Sequence, residues 1–425
     1  MHHFHYRGDA LYCEDVPVSR IASEVGTPVY LYSHATLTRH FQVFDQAFAS
    51  VPHLICFALK ANANLAVLKL FSDLGGGLDV VSGGELFRGL RAGVPPQRIV
   101  YAGVGKSRDE IAYALKSDIL MFNVESAQEL RLIHDMASEM GTKARIALRV
   151  NPDVDPKTHP YIATGLKKTK FGIDIGQALE EYEAAKGLPS VDVVGIHHHI
   201  GSQITEVRPF VDALEKTAAL VRTLRNRGTA IRYLDVGGGL GIRYKDEEPP
   251  LPGEFGEALI EVIRDLDVTV VLEPGRVLVG NAGILVTRVL YTKQTPVKHF
   301  VVVDAGMNDL ARPSLYGSYH GIQPVRKSPG RPEVVVDVVG PICESGDFLA
   351  KDRGVPRAEP GELLAVMSAG AYGHTMSSNY NARPRTPEVM VRGNRYYVVR
   401  ERETYDDLVR GERTLDEWAD GGMGS

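Results

Sequence analysis

The chain has 425 residues, 44% hydrophobic and 24% charged, and its 48 Lys and Arg against 53 Asp and Glu leave a formal charge of -5. At roughly 150 residues per domain this is two or three domains, and the near-average composition excludes wholesale disorder, a collagen-like repeat and a disulfide scaffold. So balanced a charge has no electrostatic footprint for nucleic acid, which leaves the 43 glycines as the compositional feature to be explained.

The N-terminus, Met-His-His-Phe-His-Tyr, has neither the basic nor the apolar segment of a secretion signal. Its histidines read as a disordered or strand-edge start rather than as metal ligands. Short β-like pieces follow, as around Tyr30. From residue 54 onward, short apolar runs alternate with amphipathic segments. The runs 54–60, 78–82, 99–103, 120–124, 145–150, 191–200, 231–239 and 269–275 are eight candidate strands. Among the segments between them, Ser126 stands where an N-cap would, with Glu129 at the capping-box position. Segment 207–227 places Phe210, Val211, Leu214, Ala218 and Val221 at helical spacing. Strands alternating with helices imply a parallel sheet. Eight such units predict an α/β fold, a closed TIM-like (β/α)8 barrel over residues 33–284, where ~250 residues are typical. An open doubly wound sheet is the alternative.

After residue 285 the texture changes. The runs 286–292, 300–304, 333–339, 363–367, 389–392 and 396–400 are short, β-rich and separated by turn residues. They predict an antiparallel β domain of residues 285–425, completed by residues 1–32. No stretch of 18 apolar residues exists, so no membrane-spanning helix is expected. Cys13, Cys56 and Cys343 are odd in number and far apart, as thiols in a reducing cytoplasm would be.

Catalytic groups in such barrels project from the C-terminal ends of the strands, and there the unusual residues collect. The first run ends in Lys60, the second carries Asp79, the fifth Arg149 and the sixth His197-His-His199 before Ser202. The seventh ends in Gly237-Gly-Gly239 and the eighth in Glu273-Pro-Gly275-Arg276. A lysine in the barrel mouth, its pKa lowered by desolvation, can form a Schiff base; alone, it can equally be a snorkelling surface lysine. Bare backbone at the glycines can wrap a phosphate, and Arg276 suits phosphate geometry, although a glycine triplet also serves a tight turn. Glu273 stands where a strand end should be apolar, so it needs a partner: a neighbouring arginine, or the protonated nitrogen of a pyridine. His197 and His199 share one face of their strand and suit either zinc or, for His199, stacking on a flat ring. Zinc would need further ligands at other strand ends, and His53, His159, His320 and His374 do not fall there; no metal is expected. Lysine, phosphate cradle, acid and flat ring are together the parts that hold and use pyridoxal 5'-phosphate.

The chain resembles the diaminopimelate decarboxylase family, in the ornithine decarboxylase/alanine racemase-like class of pyridoxal-phosphate enzymes. The motifs are Phe57-Ala-Leu-Lys-Ala-Asn, Asp79-Val-Val-Ser-Gly-Gly-Glu-Leu, Thr169-Lys-Phe-Gly, His197-His-His-Ile-Gly-Ser-Gln, Asp235-Val-Gly-Gly-Gly-Leu-Gly-Ile and Glu273-Pro-Gly-Arg. In the β region they are Met307-Asn-Asp-Leu-Ala-Arg-Pro, Cys343-Glu-Ser-Gly-Asp and Gly370-Ala-Tyr-Gly. The resemblance implies that Lys60 is the Schiff-base lysine, that His199 stacks on the cofactor ring, and that Glu273 partners the pyridinium. It implies that Ser202, Gly239, Gly275, Arg276 and Tyr372 serve the phosphate region, and that Asp79 and Arg149 are a supporting pair near the cofactor. Cys343 is implied to protonate the product carbon, reaching the site from the opposite subunit of a homodimer together with Glu344. Arg276, Arg312, Tyr316, Glu344 and Tyr372 are the implied substrate contacts; an arginine can grip a carboxylate bidentately. Glu344 after Cys343, where polyamine-type enzymes of the class have Asp, and the presence of Arg312 both favour diaminopimelate over ornithine or lysine. Arg243 departs from the family, which commonly has proline there. The implied reaction is conversion of meso-2,6-diaminopimelate to L-lysine and CO2. Rival readings are a decarboxylase of ornithine, lysine or carboxynorspermidine, an amino-acid racemase, a non-catalytic cofactor-binding protein and a metal-dependent barrel hydrolase. The racemases of the class place arginine where Glu273 stands.

Overall fold

The computed structural model describes residues 2–156, 164–165 and 169–415; His159 lies outside them. Eight parallel strands form a barrel: His53–Ala58, Gly77–Val80, Ile99–Tyr101, Met121–Val124, Ala144–Asn151, Val191–His197, Tyr233–Asp235 and Thr269–Leu272. Each pairs with the next, and Thr269–Leu272 pairs with His53–Ala58 to close the ring, which an open sheet would not do.

Side chains alternate along a strand with period two, and this places the site. Cys56, Val100, Met121, Ala147, Val194 and Val271 form an apolar cluster inside the barrel. Two residues further along three of those strands stand Asn123, Arg149 and Glu273, all buried. The inner face thus changes from apolar to polar toward the C-terminal mouth. The outer strand faces bury against the helices in one large core containing Phe57, Leu78, Ile99, Phe122, Leu148 and Leu234.

The helices start where their caps dictate. Ser82, Ser107 and Ser126 each accept a hydrogen bond from the backbone N–H three residues on, satisfying an orphan donor of the first turn. The reciprocal capping box forms at Ser107 and Glu110. At Ser126 only half of the expected box is made. The Glu129 carboxylate instead accepts from the Glu125 N–H at 3.2 Å and from Lys106 Nζ at 2.6 Å. Lys106 is almost fully buried, and a buried ammonium left without its carboxylate is strongly destabilising, so the ion pair wins. Helix Arg208–Asn226 buries Phe210, Leu214, Ala218 and Val221 as its spacing implies, with Val211 at the margin.

A second, largely antiparallel sheet runs in the order Phe348–Pro356, Glu333–Val339, His299–Val303, Gly283–Gln294, Val29–Ser33, Glu388–Arg392, Arg395–Arg400. Leu363–Val366 pairs with Gly283–Gln294, and Ile322–Pro324 with Leu363–Val366. Two pairings in it are parallel: His299–Val303 with Glu333–Val339, and Val29–Ser33 with Glu388–Arg392. Strand Phe348–Pro356 was not legible in the sequence. It carries Lys351, Asp352 and Arg353 and two breaks of register, so no alternation survives. A small sheet of Phe4–Arg7, Ala10–Cys13 and Val16–Pro17 precedes these elements. No described helix is long and apolar enough to cross a membrane.

Candidate active site

Lys60 sits on a single 3-10 turn, Leu59–Ala61, immediately after the first barrel strand. Its Nζ lies 2.9 Å from Oδ2 of Asp79, which the second strand delivers fully buried. This corrects one expectation. Burial does oppose the Lys60 ammonium, but Asp79, Tyr372 and Glu273 outweigh it, and its pKa stands above the ordinary lysine value rather than below. In the chain alone, Asp79 holds Lys60 protonated. Arg149, expected with Asp79 to support the cofactor, is held separately from that aspartate. Arg149 Nη1 instead donates to Glu125 at 2.7 Å, and its guanidinium lies 4.6 Å from the Phe171 ring centroid. Each charged group has taken a partner from the adjacent strand end.

Three strand-end loops interlock at the glycines. A Cβ on Gly237 would stand 2.6 Å from the His198 carbonyl oxygen, on Gly238 2.0 Å from that of Glu273, and on Gly239 2.4 Å from that of Gly201. No other residue fits there without displacing backbone. Gly238 N–H donates to Nδ1 of His199 at 3.2 Å, so the proton of the neutral ring is on Nε2. Burial, with Arg149 and Lys60 nearby, keeps the His199 pKa well below the usual histidine value. His197 and His199 do not act together. His197 is buried 3.5 Å from Glu273, while His199 faces the cavity.

Arg276 is buried at the end of the eighth strand. It donates to the Tyr244 hydroxyl at 2.8 Å and to Ser202 Oγ at 3.1 Å, and lies 4.8 Å from the Tyr372 ring centroid. Its Nε is buried with no hydrogen-bond partner among the described residues. Arg312 opens the short helix Arg312–Tyr316. Its Nη1 is 2.8 Å from His320 Nε2 and its guanidinium 4.7 Å from the Tyr244 ring centroid. His320 Nδ1 donates to the Met367 carbonyl at 2.9 Å, so Nε2 is the acceptor facing Arg312. Neither arginine is ion-paired with a carboxylate among the described residues, which rules out a surface ion pair for Arg312.

Lys60, His199, Ser202, Gly239, Glu273, Gly275, Arg276, Arg312, Tyr316 and Tyr372 line one cavity of about 430 Å³. Asp79 and Arg149 are buried at neighbouring strand ends without lining it. Cys343 and Glu344 are outside it, on an exposed loop where the Cys343 N–H donates to Asn381 Oδ1 at 3.0 Å and Glu344 bonds Tyr380. Sequence reasoning missed Tyr244 and His320, which clamp the two arginines. It also missed Asn123, and it gave no role to Asp235 of the seventh-strand motif; Asn123 bonds both Asp235 and Glu273. The alternation of the strands, Met121 to Asn123 and Tyr233 to Asp235, is the signal that would have found Asn123 and placed Asp235. Arg243 is accommodated: its Nε donates to the Lys245 carbonyl at 3.2 Å, and its own carbonyl accepts from Asn281 at 3.3 Å.

The site fits a pyridoxal phosphate. The cavity supplies an amine, a glycine cradle beside a buried guanidinium with an unused N–H, a neutral flat ring and a buried acid. Residues 34–280 match the family described as pyridoxal-dependent decarboxylase, pyridoxal binding domain. The chain is 52% identical over 412 residues to diaminopimelate decarboxylase of Aquifex aeolicus, covering 97% of each. It is likewise 52% identical to that of Pseudomonas aeruginosa, covering 97% of this chain and 99% of the relative. It also matches the solved structure of diaminopimelate decarboxylase from Helicobacter pylori complexed with L-lysine. That match has a TM-score of 0.90 and 44% identity, covering 94% of this chain and 99% of the other. On fold, site and full-length identity, the chain belongs to the diaminopimelate decarboxylase family of pyridoxal-phosphate-dependent carboxy-lyases.

Proposed function

We propose that this chain converts meso-2,6-diaminopimelate to L-lysine and CO2, the last step of lysine biosynthesis, in an active site shared between two subunits of a cytoplasmic homodimer. The observation that carries the reading is two buried guanidiniums, Arg276 and Arg312, lining the same cavity as Lys60 with no carboxylate paired to either among the described residues. Buried cations without counter-ions are costly, and a phosphate and a dicarboxylic substrate supply the missing anions. We also divide the chain into a barrel of residues 33–284 and a β domain of 1–32 with 285–425.

The cofactor, when bound, supplies an electron sink for the pair released as the carboxylate departs. The residues do the rest. Lys60 offers the amine that holds the cofactor, and Asp79 is the base beside it that takes up or returns its proton. Glu273 holds a proton at the pyridine nitrogen. The neutral His199 ring, which lines the cavity, would pack against the cofactor when it is bound. Ser202, Gly239, Gly275, Arg276 and Tyr372 hold the phosphate end, and Arg149 braces the mouth through Glu125. Arg312 and Tyr316, with Arg276 and Tyr372, orient the substrate carboxylates. Cys343 of the partner subunit would be the proton donor for the product, and Glu344 of the partner subunit would meet the distal ammonium. The three cysteines are free, which supports a reducing cytoplasm.

The purified protein, incubated with meso-diaminopimelate, ornithine and lysine in parallel, is expected to release CO2 and form lysine from the first alone. Preferred turnover of ornithine or lysine, or racemised amino acid without CO2, would replace the reading with that of a relative in the same class.

A further inference from the structure

Beneath the cavity floor lies a pair of carboxyl groups that the reaction as described does not use as a pair. The seventh barrel strand delivers Asp235, fully buried, beside Glu273 of the eighth. Asn123 Nδ2, from the fourth strand, donates to both, at 2.9 Å to Asp235 Oδ2 and at 3.2 Å to Glu273 Oε1. Asp235 Oδ1 accepts from the Gly237 N–H at 3.0 Å, and His197 Nε2 lies 3.5 Å from Glu273 Oε2. Glu273 lines the cavity and Asp235 does not.

Two buried carboxylates held against one amide cannot both be ionised cheaply, because like charges at close range force one to keep its proton. The groups facing them from the neighbouring strands are Cys56, Lys60, Asp79, Asn123, Arg149 and His197. The ammonium of Lys60 favours charge on Glu273, the member exposed to the cavity. Burial and the neighbouring Glu273 hold the Asp235 carboxyl well above the ordinary range. Burial leaves Glu273 raised as well, though Lys60, the hydrogen bond with Asp235 and Arg149 all oppose the shift.

We propose that Asp235 and Glu273 share a single proton resident on Asp235, clamped by Asn123, so that Glu273 turns an ionised carboxylate to the pyridine nitrogen of the cofactor. Asp235 is then a positioning residue: it hydrogen-bonds Glu273 and sets its charge without touching the cofactor. The inference rests on the reading of Glu273 as the pyridinium partner, and the two separate experimentally. Infrared difference spectra of the cofactor-free enzyme should contain a protonated-carboxyl band that persists through neutral pH and vanishes in Asp235→Asn. Absence of the band in the native enzyme, or its survival in Asp235→Asn, overturns the shared proton. Stoichiometric zinc retained after dialysis would also overturn it, since His197, Asp235 and Glu273 bring donor atoms within 4.8 Å of one another. Reconstitution with cofactor labelled with 15N in the pyridine ring reports on Glu273 independently. A protonated nitrogen in the native enzyme that loses its proton in Glu273→Gln upholds the underlying reading even if the infrared band is missing. An unprotonated native nitrogen overturns that reading, and with it the role of Asp235.

Discussion

At the scale of single residues, function here depends on which partner each charge finds. Lys60 is held by Asp79 as an ammonium, so the amine is not made reactive by desolvation alone. Lys60→Ala should lose both the visible absorbance of the cofactor and turnover to background; retained turnover with meso-diaminopimelate would remove Lys60 from the mechanism. Arg312 makes a sharper test, because removing a charged hydrogen-bond donor from a buried carboxylate costs about 1.5–3 kcal/mol. Arg312→Met should therefore lower kcat/KM for diaminopimelate roughly 10- to 150-fold, mostly through KM, and leave the cofactor spectrum in place. An unchanged KM would take Arg312 out of substrate binding. Lys60, Glu273 and Arg276 were legible in the sequence because each breaks an apolar run at a predicted strand end. Tyr244 and His320 were not. They lie in connecting segments without periodicity, and only folding brings them to Arg276 and Arg312.

At the scale of elements, the glycines divide into those that shape the site and those that merely turn the chain. Gly238 is in the first class, since its Cβ would sit 2.0 Å from the Glu273 carbonyl oxygen. Gly238→Ala forces two strand-end loops apart, and we expect a lower melting temperature together with loss of bound cofactor on gel filtration. Gly84 is in the second class. It lies in the first turn of helix Gly83–Arg91, where an added Cβ would have its nearest neighbour 3.8 Å away and the backbone φ is not positive. Gly84→Ala should instead stabilise the protein by about 0.5–1 kcal/mol, read as a raised unfolding midpoint in urea. Equal effects of the two changes would show that the cradle is not tightly packed.

At the scale of the whole molecule, Cys343 and Glu344 lie outside the cavity of their own chain, and the proposed homodimer, in which they reach the site of the partner subunit, can be tested by complementation. Lys60→Ala and Cys343→Ala should each be nearly inactive, yet mixing and reassociating them should restore roughly a quarter of native activity, since half of the dimers are hybrids with one intact site each. A site built within one chain would recover nothing. The fold also stores a pH dependence. Burial first, and Arg312 next, push the His320 pKa down from 6.5 to about 3. As pH falls below 6.5 the unfolded chain takes up this proton and the folded chain does not until near 3. This contribution is thus complete above pH 6.5 and is lost on acidification, at about 1.4 kcal/mol per pH unit. His320→Gln, which keeps an acceptor for Arg312, should flatten the slope of unfolding free energy against pH between 6 and 4 by that amount; an unchanged slope would mean that His320 titrates normally.

The eight barrel strands, the switch to a β-rich C-terminal region and the residues at the strand ends are all legible in the amino-acid order. Strand periodicity and glycine placement are local properties, written in consecutive residues. The partners are not local, and they emerge only on folding: Asp79 with Lys60, Glu129 with Lys106 rather than with its own cap, Asn123 with both Asp235 and Glu273. Strength of interaction between buried charges depends on distance and on the exclusion of water, and both are set only when strands far apart in the chain close into one ring.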